Sequence, residues 1–372
     1  MSEYISTQNS LEYGYKRVED YIRSMIQNNT WPIGTKLPSG KTLADTLGTS
    51  IFTIQTAMQH LCREGLIERK PRIGTHVRGG TVQLTCAGIY FGRDFWRDPE
   101  DASNCVLSME LQKQWEERGI QTRIWIDDRP ATKQTTPFPP LLAALKRREV
   151  QALLATSIKP HSLSWLKDFK VPLTITMASM NVPQQVAFNW SQIMKGAVEL
   201  LRMQGCRSVG MICSCPMERS RSKRSADPNN DYYHAFLDEV HRSGLTIRDE
   251  WIRMPLPGTW SGRHEDYGYQ QFEELWNQRS RPDGLWIYPD WAVRGVMTRI
   301  LARQIGIPRE LKLALSQVDQ LPYICPFPAG HVVFQIPVLA RAMIEHIYRQ
   351  IRGKPAERTL CSVLIEPPVI PN

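Results

Sequence analysis

Residues 67 to 80, IERKPRIGTHVRGG, place three arginines and one lysine around three glycines. A phosphate-cradling loop, the tip of a DNA-binding hairpin and a flexible linker all use such a mixture. The nucleotide loop requires G-x-x-x-x-G-K-[ST] between a buried strand and a helix, and no Lys-Ser or Lys-Thr follows these glycines. A second candidate is the C-x-C pair Cys213 and Cys215. A zinc site would need a second Cys/His pair at ligand spacing, and the eight cysteines show none. They are expected as free thiols packed as small hydrophobes in a reducing compartment. No G-x-S-x-G, H-E-x-x-H or G-x-G-x-x-G occurs, so no catalytic residue, metal or cofactor is assigned and an enzyme is not expected.

The elements around the basic stretch decide its role. Val18, Tyr21, Ile22, Met25 and Ile26 recur at helical spacing and predict a first helix ending near Asn28 and Asn29. Ser39 can cap a short second helix carrying Leu43, Ala44 and Leu47, with Gly48 closing it in the left-handed conformation. Ser50 can cap a third, whose Ile54, Ala57, Met58 and Leu61 form one stripe ending at Gly65. Two short helices joined by a tight turn and packed on a third predict a helix-turn-helix. Its outward face is expected to carry Ile51, Phe52, Thr53, Gln55, Thr56 and Gln59, able to meet base edges, phosphates and thymine methyls. LIER and THV then read as strands around the turn KPRIG, a wing hairpin.

LPSGKTLADTLGTSIFTIQTAMQHLCREGLIERKPRIGTHV resembles the winged helix-turn-helix of GntR-type bacterial transcription regulators over about residues 12 to 78. The resemblance implies DNA contacts at Lys41, Ser50, Thr53, Gln55, Arg72, Gly74 and Thr75. Lys41, Ile51 and Gln55 stand where the family commonly has arginine, so bidentate reading of guanine by those side chains is reduced and the operator should differ from the family's usual one.

Beyond RGGTVQLT the pattern changes to buried strand candidates alternating with amphipathic helices, from CAGIYF through VQALLAT, SVGMIC, GLWIYP and LKLALS. That rhythm predicts parallel sheets, and its length predicts two lobes with a ligand cleft between them. VELLRMQGCRSVGMI, RPDGLWIYPDWAVRGVMTRILARQIGIPRELKLALSQVD and HVVFQIPVLARAMIEHIYRQIRGK resemble the effector domain of lactose-repressor-type regulators, itself similar to periplasmic sugar-binding proteins. By that resemblance Asp290, Asp319 and Gln335 fall where sugar hydroxyls are bound, with Arg93 after the first strand, Thr156 after the third, Trp260 as a stacking platform and Tyr232 near a clamping arginine's place. Pro289 stands where the family tends to have Asn. Carboxylates, amides and an aromatic face suit a polyol. An Asp at a strand end also suits capping of the next helix, and Trp260 equally suits a core between lobes.

The expected fold is therefore α/β: an N-terminal winged helix-turn-helix (α+β) over residues 1–78, a linker over 79–85, and a two-lobed periplasmic-binding-protein-like domain with parallel sheets over 86–372. The formal charge of +9 permits a polyanionic partner. The run ERSRSKRS, residues 218 to 225, reads as a solvated basic loop. No window of eighteen apolar residues occurs and the first twenty residues lack signal-peptide order, so a cytoplasmic protein without membrane contact is expected. The expected function is transcription regulation, as a repressor: a homodimer on a palindromic double-stranded DNA operator, controlled by a small-molecule effector of the carbohydrate class. The alternative is a regulator fused to an enzyme-like domain acting on a small metabolite.

Overall fold

Side chains three and four positions apart share a helix face, and the apolar stripes of the first segment close on one another in that way. The computed structural model describes residues 2–27, 30–63, 65–71, 73–78, 84–95, 102–178, 180–216, 225, 227, 229 and 231–368. Arg72, the Gly79-Gly80 linker start, Asn28, Asn29 and all but Ser225 of the basic run lie outside the described residues. The chain divides into two compact units, Met1–Cys86 with Ile351–Lys354, and Ala87–Gln350 with Pro355–Asn372.

In the first unit, α1 (Ser2–Gln27), α2 (Gly40–Leu47) and α3 (Ile51–Arg63) bring Val18, Ile22, Leu43, Ala44, Ile54, Ala57, Met58 and Leu61 into one core. Full burial of one such aliphatic side chain contributes about 1.5–3 kcal/mol. α2 begins where Ser39 Oγ accepts the Thr42 N–H and ends at Gly48, whose φ of 59° is left-handed. Gly48, Thr49 and Ser50 form the whole turn, and Ser50 Oγ accepts the Thr53 N–H at 3.1 Å to start α3. β1 (Ile67–Lys70) and β2 (Gly74–Val77) form the antiparallel hairpin, Ile67 opposite Val77 and Lys70 opposite Gly74.

The second unit carries two parallel-sheet lobes. β3 (Cys86–Phe91), β4 (Gln121–Ile126), β5 (Ala152–Thr156) and β6 (Leu173–Thr176) form a sheet in the order β4-β3-β5-β6. The second sheet contains β8 (Val209–Cys213), β9 (Ile252–Arg253), β10 (Gly284–Tyr288), β11 (Lys312–Val318), β12 (Gly330–Phe334) and β14 (Leu364–Glu366). Its order is β14-β12-β11-β10-β8-β9, and β14 runs antiparallel to β12. β7 (Val186–Phe188), which follows the first sheet in sequence, pairs in parallel with β13 (Thr359–Cys361), which precedes β14. Every residue of β3, β5 and β8 is buried, as expected for parallel strands covered on both faces. The covering helices are α4 (Ala102–Glu116), α5 (Pro139–Lys146), α6 (Pro160–Lys167), α7 (Trp190–Met203), α8 (Tyr232–Arg242), α9 (His264–Trp276), α10 (Asp290–Arg303) and α11 (Ile336–Ile351).

α9 was not legible as a helix because its sequence, HEDYGYQQFEELW, is mostly polar. It is held by close crossing with α10: a Cβ on Gly295 would stand 1.9 Å from the Glu265 carbonyl oxygen, and one on Gly268 would stand 2.2 Å from that of Ala292. No helix among the described residues is long and apolar enough to cross a membrane.

Candidate functional site

The first unit presents one face built by α3 and the hairpin. Glu19 of α1, buried, meets His60 Nδ1 of α3 at 2.9 Å, a polar tie between the two helices beside the core stripe of α3. Lys41, Ser50 and Gln55 are exposed, Gly74 is exposed and Thr75 is half-buried. The hairpin is braced by the preceding segment, with Val77 N–H donating to the Thr35 carbonyl and Leu37 N–H to the Thr75 carbonyl, both at 2.8 Å. Gly74 has φ 115°, and a Cβ there would lie 2.7 Å from Lys36 Cε. Its role is therefore partly internal, letting the Lys36 stem cross the hairpin.

Thr53 departs from its expected place on the outward face. It is 6% exposed, its hydroxyl pairs with Ser50 Oγ at 2.8 Å, and its methyl packs toward Gly14. The reason is spacing: Thr53 lies four residues before Ala57 and next to Ile54, on the buried stripe. It braces the cap of α3 from inside, and Ile51, Phe52, Gln55 and Gln59 remain exposed.

In the second unit a cavity of about 480 Å³ opens at the carboxyl ends of the strands of both lobes. Arg93, Ser103, Asn104, Ser157 and Thr176 line it from the first lobe. The second lobe supplies an aromatic wall of Trp190, Tyr232, Tyr288, Trp291 and Phe334, with Phe188 beside it, and the polar groups Asn229, His264, Asp290 and Ser316. The rings support one another: Trp190 lies 5.0 Å from both Tyr232 and Tyr288, and Phe188 meets Phe334 edge-on at 5.1 Å. Trp291 is covered by the Arg294 guanidinium 4.5 Å from its ring centre.

Burial pushes the Asp290 carboxyl above the ordinary carboxylate range, partly offset by Arg294, by backbone N–H groups and by His264. Burial likewise pushes the phenols of Tyr232 and Tyr288 far up, so both remain neutral hydrogen-bonding groups. His264, at the first position of α9, pairs with Ser214 Oγ at 2.8 Å. Ser316 Oγ is buried at the cavity wall and has no hydrogen-bond partner among the described residues. A buried hydroxyl in that state carries a desolvation cost that a polar ligand would offset.

Of the expected effector residues, Arg93, Tyr232 and Asp290 come together on the lining. Four do not. Thr156 lies one layer beneath, its hydroxyl donating to Asn104 Oδ1 at 3.0 Å while Asn104 Nδ2 donates to Ser157 Oγ. Trp260 packs edge-on against Tyr267 at 5.1 Å, beside the core under α9 and α10. Asp319 accepts the Ile336 N–H at 3.3 Å and the Gln335 carbonyl accepts the N–H groups of Val338 and Leu339. Asp319 therefore caps α11, because the open end of a helix claims nearby acceptors, and neither Asp319 nor Gln335 is on the cavity lining. Trp190, Tyr288, Trp291 and Phe334 were missed, although each stands at a strand end or helix start on the edge where α/β sheets bind ligands.

Two family models match separate parts of the chain. Residues 14–77 match the model described as bacterial regulatory proteins, gntR family, and residues 198–370 match the periplasmic binding protein-like domain. An uncharacterized HTH-type transcriptional regulator of Bacillus subtilis (strain 168) is 39% identical over 70 residues, 19% of this chain and 14% of that protein. The histidine utilization repressor of Pseudomonas aeruginosa is 40% identical over 63 residues, 17% of this chain and 25% of that protein. The chain thus spans a quarter or less of the length of these two relatives. The structure of the lac repressor dimer bound to operator and the anti-inducer ONPF is similar in fold, with a TM-score of 0.59 at 13% identity over 77% of this chain and 93% of that one. The chain joins a GntR-type helix-turn-helix domain to a periplasmic-binding-protein-like domain built on the fold of lactose-repressor-type regulators.

Proposed function

We propose that the protein is a ligand-responsive transcription regulator of the cytoplasm, binding a two-fold symmetric DNA operator as a homodimer and acting as a repressor. One observation carries the proposal: a helix-turn-helix with an exposed face shares its polypeptide with a cavity of about 480 Å³ lined by aromatic and polar side chains. Neither matched domain is an enzyme, so nothing supports the enzyme-fused alternative. Lys41, Ser50, Gln55, Gly74 and Thr75 are the proposed DNA contacts, together with Arg72. Two copies double the base pairs read by one helix and one wing.

The ligand proposed is a carbohydrate, held by Arg93, Tyr232 and Asp290. Flat faces such as Trp190 and Trp291 suit sugar C–H groups, and Asp290, Asn104, Asn229 and the unpaired Ser316 hydroxyl suit its O–H groups. Two measurements test the proposal. Gel-shift titration on the protein's own upstream DNA at about 150 mM salt should show preference over random duplex, and no preference would sink the DNA function. A thermal-shift screen of sugars and sugar phosphates should find a stabiliser, since ligand at a hundred times its dissociation constant adds about 2.7 kcal/mol. A panel without any shift removes the carbohydrate.

A further inference from the structure

The first turn of α3 exposes two large apolar side chains, Ile51 at 51% and Phe52 at 69%. They are the first two helical residues after the Ser50 cap. A single exposed apolar residue is ordinary, but here two neighbours occupy the end of the helix that leads into a major groove. Gln55 and Gln59 follow Ile51 at successive four-residue steps on the same exposed face. Thr56, below Phe52, donates its hydroxyl back to the Phe52 carbonyl at 3.0 Å. α3 contains no acidic residue, so the helix that carries the apolar pair sets no negative charge against a polyanion.

We propose, resting on the DNA-binding function above, that Ile51 and Phe52 are specificity-determining residues that contact thymine 5-methyl groups, with Gln55 beside them reading adenine. The chemistry of the groove floor leads there. The thymine methyl is the apolar group a base pair offers in the major groove, and guanine is best read by a forked or cationic donor. Ile51 and Phe52 have no donor at all. Gln55 has an amide, whose donor and acceptor match adenine N7 and N6. The first two turns of α3 therefore select A·T pairs, and they do so largely by shape and desolvation.

The test uses the full chain. Duplexes bound from a random-sequence pool are selected and sequenced, and the best site is then synthesised with each thymine replaced in turn by uracil, which removes the methyl alone. Fluorescence anisotropy should show one or two positions per half-site where uracil weakens binding about fourfold, the value of one buried methyl. Phe52→Ala or Ile51→Ala should abolish that penalty at its own position and leave the others. Both side chains are exposed, and thermal melts check that the variants fold. Equal binding of thymine and uracil at every position overturns the proposal, as does a penalty that persists in both variants. If Phe52→Ala changes only the oligomeric state, the pair is a protein contact and the proposal is wrong. Enrichment of no sequence would remove the DNA-binding function itself, whereas an enriched site indifferent to uracil removes this inference alone.

Discussion

Gly295 of α10 lies so close to Glu265 of α9 that a side chain there would stand 1.9 Å from the Glu265 carbonyl oxygen. This contact sets where the first turns of both helices come to rest, and those turns carry Asp290 and His264 into the cavity. Gly295→Ala must push the two helices apart, since the obstacle is backbone and not a movable side chain. We expect a loss of about 3 kcal/mol or more, read as a shift in the urea midpoint, together with loss of any ligand-induced thermal shift. Unchanged stability would mean that the helices do not cross as described.

Gly74 combines a φ of 115° with a position where an added Cβ would stand 2.7 Å from Lys36 Cε. The two effects separate by mutation. Lys36 is flexible at its far end and can move, whereas the backbone conformation penalises any L side chain. Gly74→Ala should therefore cost about 1–3 kcal/mol and weaken DNA binding, and adding Lys36→Ala should not restore stability. Recovery in the double variant would assign the cost to the clash alone.

Asp290 gives a pH dependence whose sign follows from burial. Its carboxyl holds a proton to higher pH in the folded chain than in the unfolded one. Between the ordinary carboxylate value of about 4 and that raised value the folded state binds more protons, so this group's contribution to stability falls as pH rises through the window. Asp290→Asn removes the effect. Urea midpoints of the variant should exceed those of the parent at neutral pH, and the difference should shrink on acidification toward pH ~4. Ligand binding should weaken at the same time, because an acceptor is lost.

Arg358 grips Asp227 through two hydrogen bonds of 2.7 and 2.6 Å. Asp227 in turn accepts the Asn229 N–H at 3.1 Å, and Asn229 Oδ1 accepts the N–H of Trp190 at 2.8 Å. The chain of contacts positions part of the aromatic wall from a residue outside the lining. Arg358→Met removes the guanidinium from the Asp227 carboxylate and should cost about 2–4 kcal/mol, with weaker ligand binding. Adding Asp227→Asn should recover part of the stability in a double-mutant cycle, and strict additivity would show that the pair is uncoupled.

Local patterns determined the first unit. The spacing of Ile54, Ala57, Met58 and Leu61, the caps at Ser39 and Ser50, and the left-handed Gly48 each act over a few residues, so a reader of the sequence meets all the forces involved. Even Thr53 belonged to the buried stripe by its four-residue distance from Ala57. The alternation of strands and helices likewise determined parallel sheets and two lobes, because parallel strands covered on both faces read as near-continuous apolar runs joined by helical crossovers. The cavity was different. Trp190, Trp291 and Phe334 are far apart in sequence and meet only through the sheet order. Asp319 carries the right chemistry for a ligand but is taken by the open end of α11, and Gln335 lies off the lining. Trp260 is the stacking residue by type, yet the core under α9 and α10 claims it. Which polar or aromatic group reaches a ligand is settled by competition among distant acceptors and packing surfaces, and that competition exists only once the chain has folded.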